Sequence, residues 1–201
     1  MFQTKVEIPQ SEFKISYEDH ILTLGSCFAE NIGRKMNEVY FDTDVNPFGV
    51  LYNPVSISKS IRSLLENKPF TEKELFHHKG LWQSYSHSSL FSATSADKCL
   101  ENINLRFTNT ANKLLNTNFI LITFGTAWVF EEKNTCSVVS NCHKLPANHF
   151  KRRRLTVDEI VDDYSKLITD LTVRIPNLKL IFSVSPIRHW KDGAQENNVS
   201  K

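Results

Sequence analysis

The chain has 201 residues, of which 40% are apolar and 23% charged, and its formal net charge is +2. This is the composition of an ordinary globular domain with a sizeable core, and the near-neutral charge argues for no polyanionic partner. No apolar run approaches the roughly 18 residues of a membrane span, and the first nine residues have no apolar core of a secretory signal.

Taken in chain order, the apolar run at 20–24 reads as a strand. Phe28, Ile32 and Met36 recur every four residues, which predicts a helix over about 27–37. A short strand is expected near 39–45. Asn53 can cap a helix whose first residue is Pro54, with Ile57, Ile61, Leu64 and Leu65 inward. Residues 69–93, rich in His, Trp, Tyr and Ser, read as an irregular excursion containing a hairpin. Ser95 can cap the next helix, which turns Leu100, Ile103, Phe107, Ala111 and Leu114 to the core. The run at 119–124 is apolar throughout, as in a strand covered on both faces. A second excursion spans 129–150. Thr156 and Glu159 form a capping box for a helix carrying Ile160, Tyr164, Leu167, Ile168 and Leu171. Pro176 ends it, and 178–183 is a further strand. A last helix begins near Glu196.

Strands alternating with helices predict one α/β domain over 1–201, built on a parallel, doubly wound sheet. In such sheets ligands bind beyond the carboxyl ends of the strands. The distinctive residues fall there: Gly25-Ser26, Gly49, Gly125-Thr126 and Ser185-Pro186. Ser26 stands where strand turns to helix. Its hydroxyl emerges beside the free N–H groups of a helix start, a setting that suits a nucleophile for acyl transfer. The plainer reading is that Ser26 caps the helix and Gly49 is a turn glycine. A flavodoxin-like domain would use the same face for other ligands.

Gly25-Ser26-Cys27-Phe28-Ala29 resembles the opening motif of the GSCFA family, which is grouped with SGNH/GDSL-type hydrolases. The resemblance continues through 46–54 (NPFGVLYNP), 78–82 (HKGLW), 86–88 (SHS), 123–128 (TFGTAW), 141–146 (NCHKLP) and 185–190 (SPIRHW). It covers nearly the whole chain from residue 20. It implies a three-layer SGNH-hydrolase sheet and a serine-dependent ester hydrolase that needs no metal or organic cofactor. Its substrate would be a small-molecule or glycan ester. Ser26 would be the nucleophile, with its own N–H and that of Gly49 holding the oxyanion.

Two departures stand out. Where the family pattern has Gly-x-Asn-Asp, this chain has Gly125-Thr126-Ala127-Trp128, so Thr126, or Asn141 from the second excursion, must supply the third donor. Losing one such donor typically costs about 10²–10³ in rate. The family's closing Asp-x-x-His is absent after residue 178. That implies a chain lacking the C-terminal strand and helix of the sheet, with an exposed edge that favours a homodimer. His87, His143 and His189 are substitute bases, each also readable as a structural or substrate-contact residue. Weak or no hydrolysis of p-nitrophenyl acetate is therefore expected, and a non-catalytic carbohydrate-binding or degenerate domain is the alternative function.

Other readings are weaker. Cys27 lies about 100° round the helix from Ser26 and reads as a buried cysteine under the turn. Four cysteines without a signal suggest reduced thiols in the cytoplasm. Cys136, Cys142, His143 and His149 lack the paired spacing of a zinc site. Lys151-Arg152-Arg153-Arg154 is a basic run offset by Asp158, Asp162 and Asp163, with no base-reading motif beside it, so neither nucleic acid nor membrane is expected. Trp82, Tyr85, His87, Trp128 and Trp190 would stack on sugar rings if they gather at the site mouth; otherwise they belong to the core.

Overall fold

A computed structural model describes residues 7, 9–187 and 193–201. Four parallel strands form the main sheet in the order β2-β1-β5-β9, comprising β1 (His20–Gly25), β2 (Asp42–Val45), β5 (Phe119–Phe124) and β9 (Lys179–Val184). The helices are α1 (Cys27–Glu38), α2 (Pro54–Glu66), α3 (Ala96–Leu114), α4 (Val157–Arg174) and α5 (Gly193–Val199). The first excursion is the hairpin β3 (Leu75–His78) and β4 (Leu81–Ser84). The second is a three-stranded antiparallel sheet, β7-β6-β8, of β6 (Trp128–Glu132), β7 (Ser137–Val139) and β8 (Phe150–Arg154). The chain is thus an α/β fold with a four-strand parallel sheet flanked by helices.

Side-chain alternation assigns the two faces of the sheet. Leu22, Leu24, Ile120 and Ile122 share one buried cluster with Ile57, Ile61 and Leu64 of α2, Phe107 and Leu114 of α3, and Leu167 and Leu171 of α4. The opposite face carries Thr23, whose hydroxyl and the Val45 side chain press against Gly33 of α1. A methyl at Gly33 would lie 2.8 Å from both, so glycine lets α1 approach the sheet closely. Among the described residues β2 and β9 are the edge strands, and Phe182 (42%) and Val184 (47%) of β9 are exposed. Among the described residues no helix is long and apolar enough to cross a membrane.

The caps form as their chemistry dictates. Asn53 accepts from Ser56 N at 2.8 Å, Ser95 from Lys98 N at 3.3 Å, and Thr156 and Glu159 close the capping box. Two local expectations change. In α3 the fully buried position is Cys99, and Leu100 is only half-buried. The basic run 151–154 is an edge strand, since residues 150–154 pair with β6. Alternation then sends its residues to opposite faces. Arg153 binds Glu131 and Glu159 rather than the expected aspartates, while Arg152 stacks 4.0 Å over Trp128.

Candidate functional site

The carboxyl ends of β1 and β5 are tied to the 46–53 loop by hydrogen bonds from and to their backbone. Gly25 N donates to Asn46 Oδ1 at 2.9 Å and Leu51 N to Gly25 O at 2.9 Å. Gly125 N and Thr126 N both donate to Tyr52 O, at 2.7 and 3.0 Å. Three segments distant in sequence therefore meet at Gly25-Ser26, Asn46–Asn53 and Gly125-Thr126.

Ser26 is the N-cap of α1, with Oγ accepting from Phe28 N at 3.3 Å. It is 1% exposed. Because the bond from Phe28 uses an oxygen lone pair, the hydroxyl proton remains free to be donated. Gly25, with φ +135°, carries the strand one residue further, so Ser26 N donates to Thr123 O at 3.1 Å. Gly49 (φ +76°) donates its N–H to Asn46 O at 2.7 Å. Both N–H groups that the resemblance assigns to an oxyanion thus already hold a carbonyl, and serving there requires that they exchange it. Thr126 Oγ1 accepts from Trp128 N at 3.2 Å and keeps its own proton. Asn53 Oδ1 is engaged by Ser56 N as the α2 cap, and Asn141 Oδ1 is held by His143 N at 2.8 Å.

Cys27 is half-exposed, a correction to the buried cysteine expected under the turn. As the first residue of α1 it lies within electrostatic reach of Tyr52 and Lys201. Burial, then Cys27 and Glu30, raise the Tyr52 phenol, while burial lowers the Lys201 ammonium against an opposing pull from Cys27. Lys201 Nζ donates to Gly125 O at 2.6 Å. Tyr52 and Lys201 belong to the locus and were not singled out from sequence. Tyr52 enters through its carbonyl, which any residue type would offer.

The histidines stand elsewhere. His87 is 1% exposed, stacks on Phe48 at 4.9 Å, and meets Phe70 and Phe91 edge-on. Its Nδ1 is 3.0 Å from Ser84 Oγ, and His143 Nε2 is 2.8 Å from Ser84 O. Burial, with a smaller push from His143, depresses His87 to about 3, and burial also lowers His143. Among the described residues no histidine hydrogen-bonds Ser26; His20 binds Asp42 instead. His189 and Trp190 lie outside the described residues.

Trp82 pairs with His77 at 5.5 Å on the hairpin, whereas Trp128 lies under Arg152 and Arg154 on the other small sheet. Tyr85 stacks on Phe76, so no ring contact among the described residues joins these aromatics into one platform. No three His, Cys, Asp or Glu side chains among the described residues converge on a metal position. The cysteines differ in access: Cys136 is exposed, Cys27 and Cys142 half-exposed, Cys99 buried. Iodoacetamide at neutral pH is accordingly expected to modify Cys136 first and to spare Cys99 until the protein unfolds. A peptide-mass time course measures the order, and early Cys99 alkylation would contradict it.

The model of one protein family, the GSCFA family, matches residues 20–201, and the chain belongs to that family. No curated protein and no solved structure matches it.

Proposed function

We propose that this GSCFA-family chain is a serine-dependent acyl-ester hydrolase domain of SGNH type, with Ser26 as nucleophile and oxygen esters, acyl groups on glycans among them, as substrates. The observation that carries the reading is the meeting of three strand-end segments around a serine at a helix start. Positive potential from α1 favours the developing oxyanion. Thr126, whose hydroxyl proton is uncommitted, is the third donor. In the reaction Ser26 Oγ would attack the ester carbonyl, its proton passing to a base and the alcohol leaving. Water would then release the acid from the acyl-serine.

The base is the weak point. His87, held neutral behind Phe48, is remote in bonding from Ser26 and a poor proton acceptor at about 3. Turnover of these 201 residues is therefore expected to be slow. Nitrophenol release from p-nitrophenyl acetate, followed for the wild-type chain and for Ser26→Ala, tests the proposal. Slow release that disappears in the variant supports it; equal release from both overturns it.

The second reading, a glycan-binding domain without catalysis, rests on one specific observation: the N–H groups of Ser26 and Gly49 are already bonded to backbone carbonyls. Glycan-array binding that Trp82→Ala abolishes, with no Ser26-dependent chemistry, would favour it.

A further inference from the structure

A cavity of ≈ 220 Å³ lies between α2 and the β6–β7 hairpin; it touches the 46–53 loop at Phe48, but among the described residues neither Ser26, Gly49 nor Thr126 lines it. Phe48, Ser56, Lys59, Ser60, Tyr85 and Ser140 are among its walls. Hydroxyls dominate the lining, but they are not equivalent. Ser60 Oγ donates to Ser56 O at 2.9 Å and Ser63 Oγ to Lys59 O at 3.0 Å, so the helix backbone occupies both. Ser56 is different: the residue is 2% exposed and its Oγ is buried without a partner. A buried hydroxyl left unpaired is costly, and a guest that accepts its proton removes that cost.

We propose that this cavity binds a small organic monocarboxylate, with Lys59 as counter-ion, Ser56 as buried donor, and Phe48 and Val139 against the hydrocarbon part. The charge count selects this class. Among the described residues Lys59 is the single ammonium in the lining, and no carboxylate lines the cavity. One positive charge matches one negative charge; a phosphate dianion would leave a charge unpaired. Among the described lining residues there is no arginine to grip phosphate oxygens in a fork. Lys59 Nζ donates to Val138 O at 3.2 Å, which fixes it at the rim and leaves two protons for a guest. Partial burial lowers this lysine, and Asp163, which lines the neighbouring groove, opposes the shift. A bound carboxylate would act in the same sense as Asp163 and favour the charged ammonium.

The probe is sodium lactate, titrated into the isotope-labelled chain and followed by amide and lysine side-chain NMR. Saturable shifts at Ser56, Lys59 and Ser140 are expected, together with an upward displacement of the Lys59 titration. Lactamide, the same shape without the charge, is expected to bind at least about tenfold more weakly, as is lactate to Lys59→Met. Ser56→Ala is expected to weaken binding about fivefold while leaving the fold intact, since it removes an unpaired group. Ser26→Ala should leave binding unchanged, which separates this site from the proposed hydrolase chemistry. Absence of saturation, lactamide or inorganic phosphate binding as tightly as lactate, loss of binding in Ser26→Ala, or indifference to Lys59→Met would overturn the proposal.

Discussion

Gly25→Ala is expected to lower the melting temperature by about 10 °C, the largest single-methyl effect in the molecule. Gly25 has φ +135°, which side chains with a Cβ rarely adopt. A methyl there would press into the carbonyl oxygen of Thr123, with Thr123 C at 2.9 Å and N at 3.0 Å. These are backbone atoms of the neighbouring strand, held by pairing along Ile21–Gly25 with Phe119–Thr123, and cannot rotate away. Displacing them also strains the bonds from Gly25 N to Asn46 and from Leu51 N to Gly25 O. Backbone strain of about 1–3 kcal/mol and overpacking of about 1–3 kcal/mol add. Each kcal/mol is worth roughly 2–4 °C at this chain length. Gly80→Ala is the control, because Gly80 shares a positive φ but meets nothing within 4 Å. Its shift should be only a few degrees, and equal shifts in thermal melts of the two variants would contradict the strand-contact explanation.

Acid is expected to weaken the fold starting near pH 6.5, earlier than carboxylate titration allows. His87 is neutral in the native state, with its value lowered from 6.5 to about 3, mainly by burial. Above pH 6.5 neither the folded nor the unfolded state binds this proton, so its contribution is complete. Between 6.5 and about 3 only the unfolded chain binds the proton, and stability falls as pH falls. His143, lowered in the same sense, adds to the slope. Glu132 and Glu159 are lowered by backbone hydrogen bonds, so what they contribute is also lost in acid, but only below about their ordinary value of 4.5. The window from 6.5 to 5 therefore belongs to the histidines. One pKa unit is about 1.4 kcal/mol, so the chain should lose about 2 kcal/mol, roughly 5 °C, across it. His87→Gln should flatten that part of the profile in urea or thermal melts at several pH values. An unchanged slope in the variant would show that His87 is not the titrating group.

Much of the fold was legible because its signals are local. The continuous apolar runs and the period-3.6 patterns, the caps Asn53, Ser95 and Thr156, and Pro54 at the first helical position each act within a few residues, and all formed where expected. The second excursion was harder to read. Residues 150–154 are a strand only because β6 pairs with them, and a run of four basic residues has no strand signal of its own. The same limit explains Cys99, which displaces Leu100 from the fully buried position once α3 settles on the sheet.

At the candidate site, sequence pointed to the convergence of Ser26, the Gly49 loop and Gly125-Thr126 but not to how their hydrogen bonds are spent. That Ser26 N pairs with Thr123 O follows from the backbone angle at Gly25, which spacing does not encode. That His87 is enclosed by Phe48, Phe70 and Phe91 depends on residues drawn from three segments. Tyr52 matters through a carbonyl, and side-chain chemistry gives no hint of it.

The central claim, that Ser26 is an acyl-transfer nucleophile, is tested most directly by reacting the native chain with a fluorophosphonate and locating the adduct by peptide mass spectrometry. The reagent needs only a serine hydroxyl that can reach its phosphorus and lose a proton, so it reports the nucleophile even where ester turnover is slow. A slow adduct confined to Ser26, absent from heat-denatured protein and from Ser26→Ala, is the expected result. Labelling spread over exposed hydroxyls, or an adduct placed on another residue while Ser26 stays unmodified, would contradict the assignment.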